Sequence, residues 1–531
     1  IGVLCEKAVT EFDPARPSAI TPLLVDALQR LQKLPPGPWV TLKTHELKAD
    51  ILACTGTWLE ALCPTDRITP GSRIPVIARV INRSSEQVRL KSVGMTFMAA
   101  DTTVDKEAAD NVPCEVALQC VVPNDTPPTQ PYWLAAPRKR ESYEVEDQRM
   151  IGRAQNTPLM TATFRLTIAG TSIDFDVPVR NRLVDPKLGE QTRPLAVVPA
   201  VSLAMKDPVS VSVNGASTDV TVTVTPTRTG VGGVVRLELP SGWSSTPGER
   251  AVPWDSTMSE QRLPFRISPG PGAVSGMVGA VMESAGMTYR QTVVSISYPH
   301  IDPQVFLEEA ESRLLLLDLK KRGTRLGYIM GPGDEIPPLL ERIGYQVTLL
   351  SDDEIESGDL SRYDAIVTGV RAYNTRDVLS RSNDRLLDYA AAGGRFIVQY
   401  LTRQRTPMPG IGPYPFTISN ARVSVETAPV SFPDPGHPLL HEPNEISQKD
   451  FDGWVQERGL YFAGDWDAHY QTVLASHDPG EEEQRGGLLY APYGKGYFIY
   501  TGYAWFRQLP AGVPGAFRLF VNMISQHTYQ P

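Results

Sequence analysis

Residues able to do chemistry gather in two stretches of this sequence. The first is Gly369-Val370-Arg371-Ala372-Tyr373-Asn374, with Gln399 and Tyr400 closing the next apolar run. These residues are candidates for lining a ligand pocket. The second runs from Asp450 through Trp454, Val455, Gln456, Glu457, Arg458, Tyr461 and Phe462 to Asp465, Trp466 and Asp467. Carboxylates beside tryptophan and arginine could bind a sugar or share acid and base roles. Each stretch has a second reading. Arg371 and Asn374 could cap the following helix and bond loop carbonyls. Glu457 and Arg458 could form an internal network that staples a long loop to a sheet.

Other chemistries find less support. His437, His441, His469 and His477 include an H-x-x-x-H spacing, but Pro438 and Pro443 oppose the helix that would bring that pair onto one face. There is no G-x-S-x-G elbow, no G-x-x-x-x-G-K-[ST] phosphate loop and no H-E-x-x-H. The turn Gly331-Pro332-Gly333-Asp334 is glycine-rich, yet Pro332 lacks an amide that an anion would need. All five cysteines, Cys5, Cys54, Cys63, Cys114 and Cys120, precede residue 121, so no thiol nucleophile serves the later stretches. Cys114 with Cys120, or Cys54 with Cys63, could form a bridge; buried free thiols are the other reading.

Positioning these residues takes several domains, since 531 residues predict three to five at roughly 100 to 200 each. Residues 17 to 34 read as one helix with Thr21 as cap, Pro22 at the first turn and Leu24, Leu28, Leu31 and Leu34 on one face. That face needs a partner, expected upstream of Ile1, which makes 1–40 a helical linker. Residues 41–194 show short alternating strands parted by turn residues, and 195–299 repeat the pattern. Two antiparallel β-sandwiches are predicted. From 300 to 531 the pattern becomes α/β. A helix is expected from Asp302 to Arg322, then short apolar strands alternate with helices, as in a doubly wound parallel sheet. Residues 401–485 form a long insertion, and Pro514 to Gln526 a closing helix. Ligands of such sheets sit at the carboxyl ends of the strands, where Arg371, Asn374 and Gln399 fall.

Charge narrows the partners. The chain carries 51 Lys and Arg against 60 Asp and Glu, a net charge of −9, and its longest basic run is Arg138-Lys139-Arg140. Sequence-independent nucleic-acid binding is disfavoured. No run approaches the roughly 18 uncharged apolar residues of a spanning helix.

Several strings then converge. Pro131-Tyr132-Trp133-Leu134, Tyr363-Asp364-Ala365-Ile366-Val367 with Gly369 to Asn374, Trp454 to Phe462, Tyr493-Gly494-Lys495-Gly496 and Phe506 to Gly515 together resemble the C-terminal region of long bacterial PIG-L (LmbE-like) deacetylases. The resemblance covers nearly the whole chain. It implies a missing N-terminal zinc-dependent domain acting on N-acetylglucosamine-type sugars, followed by β-sandwiches and a class I glutamine amidotransferase-like α/β domain. The stretch Leu237 to Trp243 resembles Ig-like modules of carbohydrate-active enzymes. The family's A-H-P-D-D-E zinc motif has no counterpart here; Ser351-Asp352-Asp353-Glu354 shares only letters. No catalytic residue carries over, and no cofactor is expected in this chain, zinc belonging to the missing domain. The expected function is an accessory, glycan-binding or scaffolding region whose partners are an N-acetylated sugar and the deacetylase domain, with a homo-oligomer as a further expectation. Family resemblance favours a periplasmic or extracellular location. One alternative is a sugar-active enzyme with Arg371, Tyr373, Asn374, Gln399, Trp454, Gln456, Glu457 and Arg458 around its site; a second is a structural scaffold whose sandwiches mediate oligomerisation.

Overall fold

The structure is a computed structural model that describes residues 1–139, 142–255, 259–403 and 410–525. Arg140 of the basic run, Gln526 of the expected closing helix and residues 404–409 of the insertion lie outside the described residues.

The chain opens with helices Gly2–Glu11, Thr21–Leu31 and Pro38–Cys54, the second entered through a 3-10 turn, Pro17–Ile20. The expected helix over 17–34 is thus shorter, starting where Pro22 can occupy the first turn and ending before Pro35. Its stripe of Leu24, Val25, Leu28 and Leu31 shares one core with Val88, Leu90, Phe164 and Leu166 of the sheets that follow. This corrects the reading of 1–40 as a linker whose apolar face is met upstream. The helices are a layer of the first β unit, because burying that stripe against adjacent sheet removes it from water within the chain.

The first β unit has two sheet halves joined by one long strand, Thr171–Asp185. Its first half pairs with Thr161–Ile168, beyond which lie Val88–Met95 and Thr102–Glu107. Its second half pairs with Trp58–Cys63 and Gly189–Pro194, with Arg73–Ile81 and Cys114–Val121 beyond. Each half has one buried face: Cys114, Val116, Leu118 and Cys120 point inward while the residues between them face solvent. All five cysteines are unbridged, with Cys63, Cys114 and Cys120 buried.

The second β unit sets the sheet of Val201–Met205, Thr218–Pro226, Gln261–Pro269 and Trp243–Thr246 against that of Val209–Val213, Glu311–Leu317, Gly276–Ser284, Val231–Glu238 and Glu249–Asp255. Inward residues such as Val222, Val224, Phe265, Ala280 and Leu314 fill one core. Here the sequence reading of a helix from Asp302 to Arg322 is corrected. Gln304–Glu309 is a strand paired with Gln291–Ile296, and Glu311–Leu317 lies between Val209–Val213 and Gly276–Ser284. An apolar run such as Leu314 to Leu317 suits either element, and two waiting strand edges decide it. The unit therefore continues past 299 to Leu317.

Beyond it, five parallel strands run in the order Gln346–Leu349, Arg325–Ile329, Ala365–Thr368, Arg395–Gln399, Gly496–Thr501, and Leu488–Tyr493 adds antiparallel, with the short Gln471–Thr472 at the edge. Helices Ile336–Arg342 and Pro514–Ser525 pack on one face with Tyr328, Val367 and Ile499. Asp352–Ser357 and Asp377–Ala391 cover the other with Ile366, Phe396 and Phe498. The sheet is doubly wound, and its inner strands Ala365–Thr368 and Gly496–Thr501 are buried throughout, as helices on both faces require. Val209, Val211, Leu315 and Leu317 join the first of these cores, so the second β unit packs against the α/β unit. Arg342 fixes the seam by pairing with Asp207 at 2.5 Å. The insertion is irregular apart from short ladders such as Phe416–Ile418 with Ala463–Trp466. No helix among the described residues is long and apolar enough to cross a membrane.

Candidate ligand site at the strand ends

The Ala365–Thr368 strand ends in a tight turn. A Cβ on Gly331 would lie 2.0 Å from the Val370 carbonyl oxygen, so only glycine lets the two neighbouring strand-end loops approach this closely. Arg371 follows in the left-handed region, at φ 56° and ψ 22°, and leads into the short helix Ala372–Thr375. Its amide donates to the Tyr400 carbonyl at 2.8 Å, tying this turn to the end of the next strand. The guanidinium is partly buried; among the described residues its Nε is shielded from solvent with no hydrogen-bond partner, which leaves its terminal N–H groups to meet a ligand. Among the described residues it forms no ion pair. A positive group left in this state favours a ligand oxygen that arrives from outside.

Around Arg371 stands an aromatic wall. The Tyr400 ring lies 5.5 Å from Tyr461 and 5.4 Å from Phe506. Arg507 lies over Phe506 at 4.9 Å and donates through Nε to Glu457 Oε1 at 2.9 Å. Burial pushes the Tyr400 phenol up, and the neighbouring Glu457 charge adds to the shift. Two arginines against one carboxylate leave the cluster electropositive. Gln456 and Tyr461 are also left-handed, at φ 66° and 55°. Strained non-glycine backbone of this kind persists where surrounding structure over-determines it, and it concentrates at ligand clamps.

Below the turn lies a buried polar network. Tyr328 Oη sits 2.8 Å from both oxygens of Asp334, whose carboxylate also accepts from the amides of Ile336 and Val370. Burial pushes the Asp334 carboxyl up. Gln399 donates to Tyr328 Oη and to the Thr368 carbonyl, each at 3.2 Å, while its Oε1 has no partner. The Gly331–Asp334 turn is thus a brace for the Arg371 turn, through Asp334.

The other sequence candidates separate. Tyr373 is fully buried, with its hydroxyl on Asn383 Oδ1 at 2.6 Å, so it belongs to the core and not to a pocket. Asn374 exchanges two hydrogen bonds of 3.0 Å with the Thr402 backbone and holds a loop. Trp454 is buried against Phe451, Tyr503 and Trp505, its indole donating to the Asp450 carbonyl at 3.2 Å. Arg458, also buried, donates to the carbonyls of Ala428 and Phe451 and stacks at 5.2 Å on Trp454. Burial pushes its guanidinium down to about 10. Trp454 and Arg458 are therefore corrected from ligand contacts to loop anchors. The expected staple exists but does not join Glu457 to Arg458: Arg458 and Gln508, which bonds the Val455 and Glu457 backbone, hold the loop, and Glu457 turns to Arg507. Gln456 is exposed beside the wall. Asp450 is buried against Arg518, Nε to Oδ1 at 2.7 Å.

Phe506 and Arg507 escaped the sequence reading as site residues. They follow the strand Gly496–Thr501, so the same strand-end rule that selected Arg371 selects them. The four histidines disperse: His437 onto Gln471, His441 onto Glu445, His469 onto Asp467 and His477 onto the Asp478 carbonyl. No group of three or more His, Cys, Asp or Glu among the described residues could hold a metal ion.

No family model matches the chain, and no curated protein matches it. Among solved structures, red sea bream transglutaminase is similar over 53% of the chain at 10% identity and a TM-score of 0.23. The chain spans about a third of that protein's length, 34%. A protein of unknown function from Porphyromonas gingivalis W83 matches over 49% of this chain and 98% of its own, at 13% identity and a TM-score of 0.14. The D0–D1 domain of intimin matches over 48% and 98%, at 7% identity and a TM-score of 0.15. Likenesses of this strength assign neither fold nor function.

Proposed function

We propose that this chain is a glycan-binding accessory region of a PIG-L-like deacetylase of N-acetylglucosamine-type sugars, with an amidotransferase-like α/β unit that binds without catalysing. The carrying observation is Arg371. A strained strand-to-helix turn is where enzymes of related architecture present a nucleophile. Here that turn presents a half-buried guanidinium that forms no ion pair among the described residues. Such a group holds an acceptor oxygen and forms no covalent intermediate. Glu457, the carboxylate of the cluster, is 12% exposed and engaged by Arg507, which suits orientation of a ligand better than proton transfer. The sequence strings quoted above support the family reading, and with it a periplasmic or extracellular setting. Zinc finds no fitting donor set among the described residues, so no step here runs through it.

The oxygen that Arg371 receives belongs to an acetamido carbonyl or a sugar carboxylate. Calorimetric titration of the full chain with N-acetylglucosamine tetramer and with a glucuronate-containing oligomer separates these sources. Losing one charge-assisted hydrogen bond costs about 1.5 to 3 kcal/mol. Arg371→Ala should therefore weaken binding of the preferred oligomer by roughly 10- to 100-fold. Equal affinity in wild type and variant, or no binding of either oligomer, overturns the proposal.

A further inference from the structure

A cavity of about 800 Å³ opens on the insertion, and none of Arg371, Tyr400, Glu457 or Arg507 lines it. Its volume falls within the range of roughly 300 to 1,000 Å³ typical of small-molecule sites. Tyr414, Phe416 and Trp466 line it together with Asp465, Asp467 and Arg403. Phe416 and Trp466 are direct partners across the short ladder, which brings their side chains to one place. Behind them Tyr470 and Phe498 are buried, and Phe416 packs edge-on to Tyr470 at 5.6 Å. Tyr414 is held by the His469 ring stacked on it at 4.2 Å and 11°. The aromatic lining is thus rigid from behind while Tyr414, Phe416 and Trp466 remain only partly buried.

The polar lining sets two carboxylates, Asp465 and Asp467, against one guanidinium, Arg403. His469 donates to Asp467 from its backbone and from Nδ1, at 2.9 and 2.6 Å, which holds that carboxyl below its ordinary value. Asp465 is exposed and makes no ion pair among the described residues. Carboxylates that accept but cannot donate repel anions and receive paired hydroxyls. Flat aromatic faces pack against the C–H face of a pyranose ring.

We propose that this cavity is a binding site for a neutral oligosaccharide, with one pyranose ring on Trp466 and its hydroxyls on Asp465 and Asp467. The proposal does not rest on the strand-end reading. Arg371 selects an acidic or acetamido oxygen at an electropositive cluster, whereas this cavity is acidic and aromatic. The test titrates the full chain with cellotriose and maltotriose, neutral sugars that carry neither an acetamido group nor a carboxylate, following intrinsic tryptophan fluorescence and heat. Wild type should bind at least one of them saturably. Trp466→Ala and Asp465→Asn should each weaken that binding tenfold or more, Trp466→Phe by less, and Arg371→Ala by less than twofold. A Trp466→Ala protein with the wild-type melting profile and undiminished affinity overturns the site. So do wild-type protein that binds neither sugar and affinity lost equally with Arg371→Ala. A strand-end site that fails leaves these readouts unchanged, so the two proposals stand or fall apart.

Discussion

Arg458→Met separates an anchor from a ligand contact. The native guanidinium satisfies two buried carbonyls, those of Ala428 and Phe451, with donor distances of 2.7 to 3.1 Å. Methionine keeps much of the apolar stem against Trp454 but leaves both carbonyls without a donor. Each buried unsatisfied acceptor costs about 1 to 3 kcal/mol. Removing a guanidinium whose burial already lowers its pKa to about 10 returns part of that. The net expected loss is about 2 to 4 kcal/mol, which shifts the melting of the α/β unit down by roughly 5 to 15 °C. Arg507, 34% exposed with one ion pair, serves as the control: Arg507→Met should cost less than about 1 kcal/mol. Scanning calorimetry with tryptophan fluorescence reports the unit, since Trp454 and Trp505 are buried in it. If Arg458→Met melts with wild type and loses sugar affinity instead, Arg458 is a ligand contact and the anchor reasoning fails.

Two further predictions follow from single residues. Burial pushes the His437 imidazole below its ordinary value of 6.5, so the folded chain holds it neutral. Its contribution to stability is therefore full above pH 6.5 and falls as acidification passes through the lower folded value. The difference in melting temperature between wild type and His437→Gln should shift against wild type from pH 6.5 down to 5; a pH-independent difference refutes it. Gly331→Ala would place a Cβ 2.0 Å from the Val370 carbonyl oxygen, whereas a Cβ on Gly248 meets nothing within 4 Å. Gly331→Ala should lower the melting temperature and weaken strand-end binding, and Gly248→Ala should do neither, by circular dichroism and calorimetry.

The parallel strands were legible because a strand buried on both faces must be a short apolar run, and Ala365–Thr368 and Gly496–Thr501 are such runs. Glu311–Leu317 was not. Its four leucines carry no period that separates helix from strand, and the distant edges of Val209–Val213 and Gly276–Ser284 settle the matter. Arg371 was found by the strand-end rule, which also reaches Phe506 and Arg507 once applied to the last parallel strand. Trp454 and Arg458 were misplaced for a physical reason. A long loop that crosses a sheet must satisfy its own carbonyls, and arginine stacked on tryptophan does so with the same groups a sugar site would use. Sequence shows the groups, and only burial shows which way they face.

The central claim is recognition without chemistry. The most direct measurement incubates the full chain with N-acetylglucosamine tetramer and a glucuronate-containing oligomer at saturating protein, then analyses bound and free sugar by mass spectrometry. The account predicts saturable retention of an unaltered oligomer that Arg371→Ala weakens by roughly 10- to 100-fold. Deacetylated or shortened sugar, formed by wild type and lost in Glu457→Gln, would contradict it.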